Sequence, residues 1–293
     1  MSEYIFSTGR ELLDICRGEG IPISEAAVRA ELSREEMDRQ QIMQEMRINL
    51  EVMRESIRAG LEEQQISITG LMGEDADKLM AYTDSAVMGR EMTRIVASAM
   101  AVTEVNASMG RIVAAPTAGA SGILPAVLIQ YGDAHDLSEE QLIAGLCNAG
   151  AIGMIIARNA SIAGASGGCQ AETGSAAAMA ARALTELRGG TPQMCLHAAA
   201  IALKNVMGLV CDPVAGLVEC PCIKRNAIGA ANAVLCSDMV MAGIESIIPF
   251  DEVVTAMRNV GRMMHPDLRE TARGGLAATP TAQRIAGKIR TFE

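Results

Sequence analysis

No stretch of this 293-residue chain alternates apolar and polar residues for long enough to build a convincing strand; where a pattern exists, its period is helical. The helical segments are also built from small residues. Residues 175–187 read SAAAMAARALTEL and residues 225–242 read RNAIGAANAVLCSDMVMA. Side chains of that size let helix axes approach closely. The expectation is an all-α fold: a compact multi-helix domain of closely packed small-residue helices, preceded by an N-terminal helical arm. Only short pairs such as Ile112–Val113 retain some strand character.

The arm covers residues 1–65 and the main helical domain residues 66–293, the two reading as one continuous domain. Within the arm, a short helix over Arg10–Arg17 is ended by Gly18 and Gly20, and Ser24 can cap a second one toward Leu32. Ser33 and Glu36 fit a capping box. From there a long amphipathic helix runs to about Ala59, with Gly60 at its C-terminal cap. Met43, Met46, Leu50, Met53 and Ile57 form a heptad-like seam, suited either to a second chain or to the arm's own domain. Residues 65–77 read as a linker or ordered loop. Helices are expected at 78–110, 125–131, 138–159 (Ser138 as N-cap, Gln141 completing the box), 175–187, 191–208, 225–242 and 251–264, the last strong one.

Charge narrows the function. The net charge is −10 and the isoelectric point is near 5.0, which disfavours nucleic acid or an anionic membrane as partner. Aromatic residues are 2% of the chain and Trp is absent, so a base-stacking platform is also disfavoured. Residues 1–10 (MSEYIFSTGR) lack the basic start and apolar run of a secretory signal. The longest apolar run, 142–157, falls short of the about 20 residues a membrane span wants and reads as a buried helix. A cytoplasmic protein is the expectation, and in that setting eight cysteines are packing residues or metal ligands rather than a disulfide framework.

Five of the eight lie between Gly164 and Arg225: Cys169, Cys195, Cys211, Cys220 and Cys222. Three of these adjoin helix breakers, in Gly168-Cys169-Gln170, Cys211-Asp212-Pro213 and Pro221-Cys222. A cysteine beside an irregular segment can turn its sulfur toward a metal. There is no CxxC, so the usual zinc and ferredoxin spacings are absent. Three thiolates on an iron–sulfur cube leave one iron without a protein ligand, and such an iron is a Lewis acid. A second candidate is the loop GRIVAAPTAGASGILP, residues 110–125, where Thr117 and Ser121 place hydroxyls among glycines. It can hold a carboxylate or phosphate, or simply turn the chain between buried helices.

Four motifs, GRIVAAPTAGASGILPAVL, GGCQAETG, GLVCDPVAGLVECPCIKRNA and HPDLRETARGGLA, stand in order along the chain. Together they resemble the iron–sulfur L-serine dehydratase (L-serine ammonia-lyase) family, α subunit or catalytic domain, over about Ser24 to Ala278. The resemblance implies a [4Fe–4S] cluster held by Cys169, Cys211 and Cys222, and an α,β-elimination that turns L-serine into pyruvate and ammonia. In it the substrate hydroxyl binds the open iron and a base takes the Cα proton. Thr117 and Ser121 become the contacts for the substrate carboxylate. The resemblance also implies a separate β subunit that helps form the site.

Cys220 stands where the family commonly has an apolar residue, as a bystander or a competing ligand. Cys16, Cys147, Cys195 and Cys236 read as packing. The single-chain relatives' C-terminal cysteine, which reaches back to the open iron, has no counterpart here. No base is assigned: His135 and His197 read as structural, and His265 equally serves its turn. Lys204 and Arg225 flank the cysteine segments and can neutralise charge there. Two other readings stay open, a related lyase such as a cysteine desulfidase and a non-catalytic helical scaffold.

Overall fold

The computed structural model describes residues 4–34 and 37–289. Among them are thirteen α-helices and no strand; the sole β-type pairing is an isolated parallel bridge between Cys211 and Arg269. The all-α expectation therefore holds, and Ile112–Val113 passes through irregular backbone.

The helices are α1 (Gly9–Glu19), α2 (Ile23–Leu32), α3 (Arg39–Glu62), α4 (Asp75–Ala81), α5 (Arg90–Ala107), α6 (Ile123–Ala134), α7 (Glu139–Asn159), the single turn α8 (Gly164–Gly167), α9 (Ser175–Leu187), α10 (Pro192–Asn205), α11 (Cys222–Met241), α12 (Phe250–Met263) and α13 (Pro280–Ile289). At the centre stands α9. Every residue from Ser175 to Thr185 is buried, and α6, α7, α10 and α11 pack around it. A helix enclosed on all sides has to be narrow and largely apolar, which the alanine-rich sequence supplies apart from Arg182, a fully buried cation. Helix α7 is long and apolar enough to cross a membrane, yet most of its surface is buried within the protein.

The arm packs on this core. Leu50, Met53 and Ile57 of the α3 seam are buried and Met43 and Met46 lie against them, facing α5, α6 and α7. The seam thus serves its own chain. Three local expectations are corrected. First, α3 starts at Arg39 behind an Asp38–Gln41 capping box; Ser33 instead closes α2, and Glu36 lies outside the described residues, as do residues 291–293 at the tail. Secondly, Ser24 does not cap α2. The Glu186 carboxylate does so from α9, accepting the amides of Ile23 (2.8 Å) and Ser24 (3.2 Å). Thirdly, Gly60 is not a cap but a contact. It lies inside α3, and a Cβ there would run into the Ala101 carbonyl of α5.

The expected helix 78–110 is divided into α4, a 3₁₀ turn (Thr83–Ser85) and α5, which begins after Gly89 at φ 79°. The division lets Glu104 of α5, 1% exposed, cap α4 through the amides of Asp75 (2.9 Å) and Ala76 (3.3 Å). Burial raises this carboxyl to about 7 despite those bonds. Helix α13 lies beyond the last strong helix expected from the sequence.

Candidate functional site

Cys169, Cys211 and Cys222 each stand at an interruption of helical structure. Cys169 precedes a π-helical turn, Gln170–Gly174, that leads into α9. Cys211 lies in the loop after α10, and Cys222 is the first residue of α11. A π turn inserts an extra residue into the helical spiral and is frequent at functional sites.

Buried side chains tie these interruptions together. Gln170 donates to the carbonyls of Gly167 (2.9 Å) and Met257 (3.0 Å) and accepts the Gly208 amide (2.9 Å), fixing the Cys169 turn between α12 and the end of α10. Asn226, in the first turns of α11, accepts the Gly122 amide (3.0 Å) and donates to the carbonyls of Gly119 (2.8 Å) and Cys222 (3.0 Å). The Thr117–Gly122 loop is thereby locked onto the Cys222 helix. Arg225 donates to the Val210 carbonyl (2.9 Å) and to Asp212 (2.8 Å), whose other oxygen accepts the Leu276 amide (2.7 Å). The Cys211 amide donates to the Leu268 carbonyl (2.9 Å) and the Glu270 amide to the Cys211 carbonyl (2.7 Å), so the turn 265–276 is strapped along the Cys211 loop.

The three thiols share one electrostatic environment. Burial, then Cys169 and Glu172, push Cys222 up to about 12 while Arg225 opposes. Cys211 is raised by burial and then by Cys169, Glu172, Glu270 and Cys222. Cys169 is raised chiefly by burial; Thr173, whose hydroxyl lies 3.0 Å from its sulfur, and Arg225 act against the rise. Thiols that discourage one another's ionisation are what a polynuclear cationic group would relieve. Among the described residues, no three His, Cys, Asp or Glu side chains converge closely enough for a single metal ion. Three thiols from separate segments are a donor set that a group taking one thiolate per metal atom can use.

Glu172, on the π turn, went unnoticed in the sequence. Its Oε2 lies 4.0 Å from Cys211 Sγ. A Cβ on Gly164 would stand 3.0 Å from the same oxygen and 2.9 Å from Cys211 Sγ, and one on Gly119 would stand 3.3 Å from Oε2. Both positions are glycine because the carboxylate occupies that space. Burial, then Glu270, raise the Glu172 carboxyl; the nearby Thr117 hydroxyl and Gly164 amide oppose them. Thr117 Oγ1 is buried beside Glu172 without completing a hydrogen bond.

The remaining candidates are placed as follows. Ser121 is fully buried and its hydroxyl donates to the Ala118 carbonyl (2.8 Å). Cys220 is half-buried, and its carbonyl accepts the Val214 amide (2.8 Å). Lys204 donates to the Ser246 carbonyl and lowers Cys236, a packing cysteine, so Arg225 is the flanking cation that belongs to the site. His197 bonds Gln193 and the Ser246 amide, His135 bonds Glu91 and stacks on Tyr131, and His265 accepts the Asp267 amide at the head of the strap. A cleft of about 360 Å³ between the end of α10 and α11 is lined by Thr173, Asn205, Met207, Gly208, Arg225 and Ile228, and by none of the three cysteines.

Comparison with known proteins gives a consistent result. The profile described as serine dehydratase alpha chain matches residues 18–277. A probable L-serine dehydratase alpha chain of Bacillus subtilis is 49% identical over 287 residues, covering 97% of this chain and 95% of the relative. The L-serine dehydratase alpha chain of Peptoniphilus asaccharolyticus is 42% identical, covering 96% and 97%. An L-serine dehydratase of Streptomyces coelicolor, also 42% identical, aligns with 94% of this chain but only 61% of its own length.

Proposed function

Since the chain belongs to the serine dehydratase alpha chain family, we propose that it is the cluster-bearing subunit of a [4Fe–4S]-dependent L-serine dehydratase, a carbon–oxygen lyase that converts L-serine to pyruvate and ammonia together with a β subunit. The observation that carries this reading is the meeting of Cys169, Cys211 and Cys222, from three separate chain interruptions, within range of one another's charge. The longer S. coelicolor relative agrees with a second part supplied here by another chain.

When bound, a cluster with one iron free of protein ligands supplies a Lewis acid to the substrate hydroxyl. The chain's own residues do the rest. Cys169, Cys211 and Cys222 lose their protons on loading, and Arg225, held by Asp212, offsets part of that negative charge. The 117–122 loop faces the substrate carboxylate, Thr117 through its hydroxyl and Ser121 by bracing the turn that presents it. The Cα proton acceptor is left unassigned: each of the three histidines here bonds partners other than the cysteines. Eight unpaired cysteines suit the reducing cytoplasm.

The test is anaerobic purification of the two chains together. Expected are iron and inorganic sulfide in about equal amounts, as a [4Fe–4S] core requires, and pyruvate release from L-serine in preference to L-threonine or L-cysteine. A preparation free of iron that retains full activity sinks the proposal; preference for L-cysteine turns it into a desulfidase.

A further inference from the structure

We propose that Glu172 receives the α-ammonium group of the substrate, and is thereby the residue with which this site selects an amino acid over a hydroxy acid of the same length. The inference rests on the L-serine reading above and adds the group that recognises the amine.

L-Serine offers three polar handles: hydroxyl, carboxylate and ammonium. In the proposed reaction the first two have counterparts, the open iron and the 117–122 loop. The ammonium needs an acidic acceptor that sits beside the cluster ligands and has no cation partner within the protein. Glu172 satisfies both conditions. Its carboxylate lies 4.0 Å from Cys211 Sγ and is the one acid that acts on all three thiols. It is delivered there by the π turn, and Gly119 and Gly164 leave the space it fills.

No lysine, arginine or histidine among the described residues pairs with Glu172. Arg225, the site's cation, is spent on Asp212 and the Val210 carbonyl. The charged group that acts on Glu172 is a second carboxylate, Glu270. A half-buried carboxylate in that setting lacks a cation, and a primary ammonium supplies one with three donors. The Thr117 hydroxyl beside it, buried and without a hydrogen-bond partner other than Glu172, offers the ammonium a second acceptor. A charge-assisted hydrogen bond of this kind is directional as well as strong, so it fixes the Cα substituents for elimination.

The experiment titrates the anaerobic two-chain holoenzyme with L-serine and with 3-hydroxypropanoate, which keeps the hydroxyl and carboxylate but lacks the amine. Binding is read from the cluster's visible absorption, independently of turnover, and iron is measured in the same samples. In the native protein L-serine should bind the tighter of the two. Glu172→Gln should raise the L-serine dissociation constant about 10- to 100-fold, the span of a lost hydrogen bond to a charged group, and leave 3-hydroxypropanoate unchanged. Glu172→Asp should recover part of the loss. Equal loss of both ligands, loss of iron in Glu172→Gln, or unaltered L-serine binding each overturns the inference. So does a native enzyme indifferent to the amine, whatever the variants do. Native protein without iron, or blind to L-serine, defeats the underlying reading instead.

Discussion

The chain carries two populations of cysteine that burial alone does not separate. Cys16, Cys147, Cys195 and Cys236 lie inside helices, and burial lifts them to about 11, 11, 12 and 12. Cys169, Cys211 and Cys222 are lifted too. What differs is the company. Each helical thiol has a cation nearby that pulls the other way: Arg182 for Cys16 and Cys195, Arg39 for Cys147 and Lys204 for Cys236. Glu186 raises Cys16, Cys147 and Cys195 as well, but the site thiols sit among one another and among Glu172 and Glu270; Arg225 opposes the rise at Cys169 and Cys222, Thr173 opposes it at Cys169, and no cation is set against Cys211. A folded protein keeps such an excess of mutually repelling acids where a positively charged group is to be bound. Burial is common to both groups; the crowding of thiols and acids around Cys211 is not.

The sharpest attack on this contrast exchanges one cysteine at a time. Cys169→Ser, Cys211→Ser and Cys222→Ser should each strip iron and lower turnover by more than the roughly 10- to 100-fold that losing a supporting residue costs. Cys195→Ala and Cys236→Ala should keep iron and activity. Iron content with circular dichroism reads the outcome, and a helical cysteine that removes iron would break the division.

The next effect concerns ion pairs. Asp212 and Arg225 expose 3% and 12% of their side chains, whereas Arg54 and Asp133 expose 42% and 51%. Asp212→Ala should cost about 3–5 kcal/mol in thermal or chemical unfolding and release the Leu276 amide to hydrogen exchange. Asp133→Ala should cost about 1 kcal/mol or less. Equal costs would mean that the site is no more tightly bound than the surface.

The smallest effect tests a buried acid outside the cysteine group. Glu104 titrates at about 7 in the folded protein against 4.5 for an ordinary glutamate, because of burial. Between those values the folded state keeps a proton that the unfolded state has released, so stability falls as pH rises through this window and levels above it. Glu104→Gln does not titrate. Its stability should draw ahead of the native protein's from pH 4.5 to 7, by up to about 3 kcal/mol, as read by unfolding at a series of pH values. A constant gap would show that Glu104 is ionised throughout.

Sequence pattern located most helices because their signals are local. Ser138 with Gln141, Thr191 ahead of Pro192, and the alanine run of α9 all act where they stand. It failed where a distant group takes over the role. Glu186 caps α2 in place of Ser24, and Glu104 caps α4 from α5 and so divides the expected 78–110 helix. Gly60 looked like a terminus because contact with Ala101 across helices has no mark in the chain. The site follows the same rule. Cys169, Cys211 and Cys222 were visible beside their helix breakers. Glu172 was not, since a glutamate in GCQAETGS looks like any helical glutamate until a π turn rotates it toward Cys211.

The strap over Cys211 also imposes a timetable. A ribosome delivers Cys169, Cys211 and Cys222 before residues 265–276, and at roughly 5–20 residues per second the last of the three thiols waits several seconds for Leu276 to reach Asp212. Until then Arg225 holds the loop without its second anchor. The site is thus completed from downstream, and damage to the 265–276 turn would be felt at cysteines made long before it.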